Sequence, residues 1–334
     1  MSKTGKIIIW SVVAAVLTGV LVWGIIGGST WNSAWSNFTG IVSKTGLNVD
    51  EWVDKLPDDA QKSPSFTKEA AGIKRISLQF VEEDIIVRET DDSVISVSQE
   101  SNQALNEDEI MHYGVKNGEL MVQSGKTGGT IFNWSAQKDI TVVLSIPRDF
   151  GGILDVRSVS GDIEAQGVRS AQGKFSTTSG EISLNESNFE KSLTIESVSG
   201  EVTVREAEAE KLKVDSMSGS LRAQGRFKES IFSSTSGDIQ LLCSGARSVE
   251  AENTSGEILV DLSETEKLEQ ISLDSVSGEL VVRVPEKCGF TVSLDTVSGE
   301  LNCDFPLKGS SYLDGAAEID ANTISGSLNI ENAS

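Results

Sequence analysis

From Ile7 to Ile26 the chain is almost uninterruptedly apolar, close to the ~20 residues a membrane-spanning helix requires. Lys3 and Lys6 precede the run and Trp10 and Trp23 lie near its ends. The positive-inside rule then puts the N-terminus in the cytoplasm and the rest of the chain outside. After the run, Trp31, Trp35, Phe38 and Val42 are spaced by four, three and four residues, which aligns them on one face of a helix. That face is expected at the membrane interface, or packed on a partner's helix or on the first part of the following domain. Between Asn48 and Ser65 the segment carries Asp50, Glu51, Asp54, Asp58 and Asp59 with Pro57 and Pro64 and reads as a short acidic helix followed by a linker. From Ile73 the period changes to two, with Ile76/Leu78/Phe80, Ile85/Val87, Val94/Ile95/Val97, Leu120/Val122 and Ile140/Val142/Leu144/Ile146 predicting strands. The polar stretch Gln99 to Glu109 reads as an exposed loop.

Beyond Gly151 the pattern repeats. Ser-Gly recurs nine times, with glycine at Gly161, Gly180, Gly200, Gly219, Gly237, Gly256, Gly278, Gly299 and Gly326. Two residues after each glycine stands an aliphatic: Ile163, Ile182, Val202, Leu221, Ile239, Ile258, Leu280, Leu301 and Leu328. Five before it runs a second apolar column: Val156, Phe175, Ile195, Val214, Phe232, Ala251, Leu273, Leu294 and Ala321. Three before it every residue carries a hydroxyl or amide, from Ser158 and Thr177 to Thr296 and Thr323, and is read as an internal ladder between stacked units. The apolar parity changes across the glycine, so the pleat shifts phase there, with glycine at positive φ and close to a neighbouring unit. One ~20-residue unit cannot bury its own apolar face, whereas a stack can. The expected fold is therefore all-β, a single-stranded stacked β-solenoid of β-helix or β-roll kind, behind an N-terminal transmembrane helix. Later spacings of 22, 21 and 27 residues, against 18 to 20 before them, predict loops near Ser263–Glu269 and Ser310–Ala317. The expected organisation is a cytoplasmic tip and signal anchor over 1–28, a juxtamembrane amphipathic and acidic linker over 29–70, irregular coils over 71–150 and regular coils over 151–334.

Composition agrees with short strands and tight turns: 31 glycines, 5 prolines and 6% aromatics. The formal charge of −22 would repel a phosphate backbone, which argues against nucleic acid as a partner. Cys243, Cys288 and Cys303 show no CxxC spacing and read as small apolar residues. The apolar N-terminal run is longer than the ~7 to 15 residues of a signal-peptide core, and neither an A-x-A site nor a lipobox cysteine follows it. An uncleaved anchor is the expectation, with cleavage as the rival.

The turns "SVSGDI", "TTSGEI", "SVSGEV" and "STSGDI", the strand "ITVVLSIP" and the closing "IDANTISGSLNI" resemble the bacterial putative-adhesin family of β-strand-repeat proteins, domain of unknown function 4097. The resemblance spans most of Ile73 to Ile330. It implies a stacked β-solenoid at the bacterial surface with roles in adhesion or envelope-stress sensing, and it carries over no catalytic residues.

Candidate chemistry is sparse. After the glycine stand Asp162, Glu181, Glu201, Asp238, Glu257, Glu279 and Glu300, interrupted by Ser220 and Ser327. Stacking would align these carboxylates as an acidic ladder, the one candidate for calcium, although the G-G-x-G-x-D nonapeptide is absent; solvated turn residues are the plainer reading. His112 is the sole histidine and no G-x-S-x-G elbow accompanies it, so it is expected as an exposed histidine. Neither cofactor nor catalytic residue is expected. An active site breaks a repeat with residues found once, whereas the irregularities here are insertions. The reading is a non-catalytic interaction module at the cell envelope, meeting an envelope protein or glycan. The alternatives are an envelope-stress sensor working with a membrane regulator, a homo-oligomeric scaffold stacking on the last coil, which is covered only by the four residues after Ile330, and, last, a polysaccharide-cleaving enzyme.

Overall fold

A computed structural model describes residues 56–125, 138–265 and 267–333. The apolar run over 7–26 and the stripe of Trp31, Trp35, Phe38 and Val42 lie outside the described residues. Every element described is a strand. Each coil contributes two: one leads into a Ser-Gly turn, such as Arg169–Thr177, and one leaves it, such as Ile182–Asn185. Strands of the same kind stack in parallel, so the two kinds form opposite faces of a flattened rod with the core between them. Register follows the repeat. Ile85, Ile163, Ile182, Val202, Leu221, Ile239, Ile258, Leu280, Leu328 and Leu301 are successive partners on one face. Val156, Phe175, Ile195, Val214, Phe232, Ala251, Leu273, Ala321 and Leu294 are successive partners on the other. Strands Val202–Ser218 and Leu221–Ser236 run unbroken through the second corner of their coils, which joins both faces into one sheet.

Both apolar columns are inside, with members at 0–1% exposure except in one coil, where Leu294 is half-buried and Leu301 is 39% exposed. Phenylalanines fill the wider core: Phe175 meets Phe189 edge-on at 6.0 Å between centroids, and Gly173 leaves the space that the Phe189 ring occupies.

The coils do not stack in chain order. Strand Arg75–Gln79 lies between Glu119–Gln123 and Ile153–Arg157, and Asp84–Thr90 lies between Ile140–Pro147 and Ile163–Gln166. The coil made of Glu119–Gln123 and Ile140–Pro147 is therefore outermost at this end. The other end mirrors it. Ala317–Ser325 is inserted between Gln270–Ser277 and Phe290–Ser298, and Leu328–Asn332 between Leu280–Val284 and Leu301–Cys303. The expectation that the segment ending at Ile330 forms the last coil is thus overturned. The long spacing from Gly299 to Gly326 gives the chain the length to step back over one coil, and on the way residues 304–316 lay Phe305 and Tyr312 against Phe290.

The segment Gln99–Glu109 is exposed over most of its length, as expected of a loop, while its two end residues Gln99 and Glu109 are buried. The Gln99 side chain donates to Glu109 O at 3.0 Å and accepts from Met111 N at 2.7 Å, standing in for a backbone partner.

Candidate functional site

All nine Ser-Gly turns stack along one edge of the rod, and their glycines are dictated by their neighbours. A Cβ on any of Gly180, Gly200, Gly219, Gly237, Gly256, Gly278, Gly299 or Gly326 would run into the carbonyl of the adjacent coil's turn glycine. Positive φ accompanies this at Gly200, Gly219, Gly237, Gly256 and Gly278. A tenth turn, in the coil of Arg75–Thr90, has Glu83 at the glycine's position. Its carboxylate, 4% exposed, accepts from Val81 N and Glu82 N at 3.1 Å and from Ser124 Oγ at 2.6 Å.

The hydroxyl column does not form the inter-coil ladder read from sequence. Ser158 and Thr177 accept from the N–H of their own turn glycines at 2.9 and 3.0 Å, and Ser216 and Ser234 donate to the carbonyls of Ser218 and Ser236. Ser197, Ser275, Thr296 and Thr323 are buried without a partner. Each of these hydroxyls serves its own turn or none, and only the column's one amide reaches the neighbouring coil, Asn253 donating to Gly237 O at 2.8 Å.

Outside the turns, Asp162, Glu181, Glu201, Asp238, Glu257, Glu279 and Glu300 are all exposed and aligned. The structure separates aspartate from glutamate. Asp84, Asp162 and Asp238 each accept through Oδ1 from the backbone N–H of the next coil's acid, Asp162, Glu181 and Glu257, at 2.9, 2.7 and 3.0 Å. The shorter side chain can fold back to a neighbouring amide. Glutamates extend outward, Glu201 to Arg222 and Glu279 to Asn329. Among the described residues no three carboxylates, thiols or imidazoles converge on a point that could hold a metal ion.

Sequence reasoning missed a second outward column. The residue between the two serines, at Val159, Thr178, Val198, Met217, Thr235, Thr254, Val276, Val297 and Ile324, is β-branched or methionine in every turn. This ridge beside the acidic row is half-buried along most of its length and open at one end, with Ile324 at 45% and Val297 at 84% exposure. Its signal was present in the S-x-S-G spacing, but only the outward direction of the side chain makes it a surface.

Other polar groups are dispersed. His112 is half-buried on a strand, opposite Gln123 and Lys62, and burial, then the Lys62 charge, hold its imidazole below the ordinary value. Cys243 is buried with its thiol toward Phe227 O at 3.2 Å, and burial pushes its pKa up to about 11. On the face leading into the turns, Glu252 stands near Asp274, Glu250 and Asp215, and burial, then those charges, raise its carboxyl above the usual range. A groove of about 390 Å³ at the second corner is lined by Glu206, Glu208, Arg226, Cys243, Asp261 and Glu264, among others.

A two-faced parallel β-solenoid with one regular turn edge defines the class of protein: a repeat scaffold whose outward columns are continuous surfaces. The chain belongs to the Toastrack family, domain of unknown function 4097, whose family model matches residues 73–331. Some solved structures are similar to it at low identity. A putative adhesin from Bacteroides fragilis NCTC 9343 is 15% identical, covering 83% of this chain and 98% of its own, with a TM-score of 0.41. A putative lipid binding protein from Parabacteroides distasonis ATCC 8503 is 16% identical over 83% and 98%, with a TM-score of 0.47. A putative adhesin from the same organism is 14% identical over 83% and 99%, with a TM-score of 0.45. No curated protein matches.

Proposed function

We propose that this chain is a non-catalytic interaction module, held at the bacterial membrane by residues 7–26 with the solenoid outside the cell, where it binds another envelope protein or glycan. The observation that carries the reading is the turn edge. An apolar ridge and an acidic row run side by side, in register, along successive coils, which is a surface made for an extended partner. The apolar N-terminal run after Lys3 and Lys6 supports the anchor. The test is site-specific photo-crosslinking in intact cells from Thr254 on the ridge and Glu257 on the acidic row. A discrete adduct from both positions, absent from a probe on the opposite corner, is expected; no adduct from either sinks the reading. Recovery of the full chain in the soluble fraction of broken cells would sink the anchor separately.

A second reading is favoured by the stripe Trp31, Trp35, Phe38 and Val42. In it the solenoid reports envelope damage to a membrane regulator that contacts the stripe. Alanine at Trp31 and Trp35 would then abolish co-purification of a membrane partner and leave adducts at the turn edge intact.

A further inference from the structure

The two ends of the rod are built differently. At the end where the described chain enters, strands Gln61–Lys62 and Ser65–Glu69 close the faces in antiparallel fashion. Phe66 stacks on Tyr113 at 3.7 Å, Lys68 Nζ stands 5.4 Å over that ring, and Pro57 packs against Gly114. Short edges, prolines and a lysine are the devices by which proteins prevent further strand pairing.

The opposite end is less protected, since Pro306 and Lys308 lie in the segment over one corner and not along the free stretch of the edge. Strand Phe290–Ser298 is paired on its outer side only at Phe290 and Thr291, and Leu301–Cys303 has no strand beyond it among the described residues. The cluster of Phe290, Phe305 and Tyr312 covers one corner. Elsewhere Leu294 and Leu301 are open although their column-mates are buried, and Val297 and Ile324 extend the apolar surface outward. No lysine or arginine occurs from Cys288 to Leu307.

We propose that this open end pairs with the same end of a second copy, related by a two-fold axis, so that the free stretch Ser293–Ser298 continues as an antiparallel pair with its own counterpart. Two features select a second copy in this arrangement. The entry end offers only the short edges of Gln61–Lys62 and Ser65–Glu69, which bear Lys62 and Lys68 and disfavour head-to-tail stacking into a filament, whereas a two-fold contact closes on itself. The free stretch Ser293–Ser298 is also complementary to itself: pairing centred on Thr296 sets Leu294 against Ser298 and Asp295 against Val297, and no like charges face each other. The free stretch Ser293–Ser298 and the three-residue strand Leu301–Cys303, about 20 and 10 Å long, give a contact of a few hundred Å² per copy, below the size of a stable interface. The pair is accordingly weak in solution and strong where many copies are presented together.

The open end lies eleven coils from the closed one, about 50 Å at the strand spacing. If the anchor of the proposed function holds the closed end, the pair joins copies on facing surfaces; this orientation rests on that reading, and the pairing does not. The full chain is studied in detergent by sedimentation equilibrium up to about 200 µM, and on the surface of vesicles mixed with a second vesicle population. A monomer–dimer equilibrium is expected, weakened about tenfold or more by Val297→Glu with Leu301→Lys, with the melting temperature of the variant close to the parent's. A monomer throughout, species growing past a dimer, or a dimer indifferent to the two substitutions each overturns the pairing. A dimer in detergent without clustering of vesicles leaves the pairing standing and removes the anchored orientation.

Discussion

Gly278 shows at the scale of one residue how the neighbour decides the side chain. Its φ is +144°, and a Cβ there would meet the Gly256 carbonyl. Gly278→Ala is expected to cost ~2–4 kcal/mol in denaturant melts. The second corner gives the opposite case. Glu186 holds φ at 49° and Glu206 at 51°, positions where the preceding coil has Gly167 at 66°. Relief of left-handed strain makes Glu186→Gly stabilising by ~1 kcal/mol, a sign that an exposed glycine substitution rarely has. The turn glycines were legible in the sequence as a column. Their cause was not, because the clashing carbonyl belongs to a residue about twenty positions away, and the left-handed glutamates carry no sequence mark at all.

Within a strand, alternation decides which neighbours tolerate change. Val202 is 1% exposed in the core column, and Val202→Asp is expected to cost ~3 kcal/mol or more by burying a charge. Glu201, adjacent to it, is open and paired with Arg222, and Glu201→Gln should cost under ~1 kcal/mol. Equal effects in a melt would refute the inward assignment. On the other face the strand Ser248–Ser255 carries Glu252, whose raised carboxyl means that the folded state keeps a proton the unfolded chain has already released. Its contribution to stability therefore rises as pH falls through the raised value toward the ordinary 4.5. Glu252→Gln should stabilise near pH 7, by under ~1 kcal/mol because the group is part-exposed, and be neutral near pH 4. Strand parity was read correctly from sequence, since period two survives any stacking. The hydroxyl ladder was not, since a hydroxyl or amide is compatible with bonds within its own turn or to the next coil, and in this column only Asn253 makes the latter.

At the scale of the molecule, the aligned carboxylates meet backbone amides, Arg222 and Asn329 rather than a common point. Millimolar calcium is therefore expected to leave the melting temperature nearly unchanged; a rise of many degrees reversed by chelator would show a site that the row does not display. The exchanged coil order at both ends matters more for function. It places Leu301 rather than Leu328 at the open end and moves the exposed edge to Phe290–Cys303. The same exchange lets residues 304–316 cover part of the core, so an insertion that reads as a loop is a crossover with a cap.

The sequence by itself determined that the chain stacks: the columns around Ser-Gly repeat at fixed offsets, and a ~20-residue unit has no other way to bury its apolar face. It also determined which side chains face inward, because that follows from alternation within each strand. Only the tertiary structure decided which coil lies beside which, since every coil presents nearly the same columns and local pattern cannot rank one neighbour over another. That choice, made by the lengths of the connections and by where the aromatic residues can close the core, is what leaves one end of the rod shut and the other open.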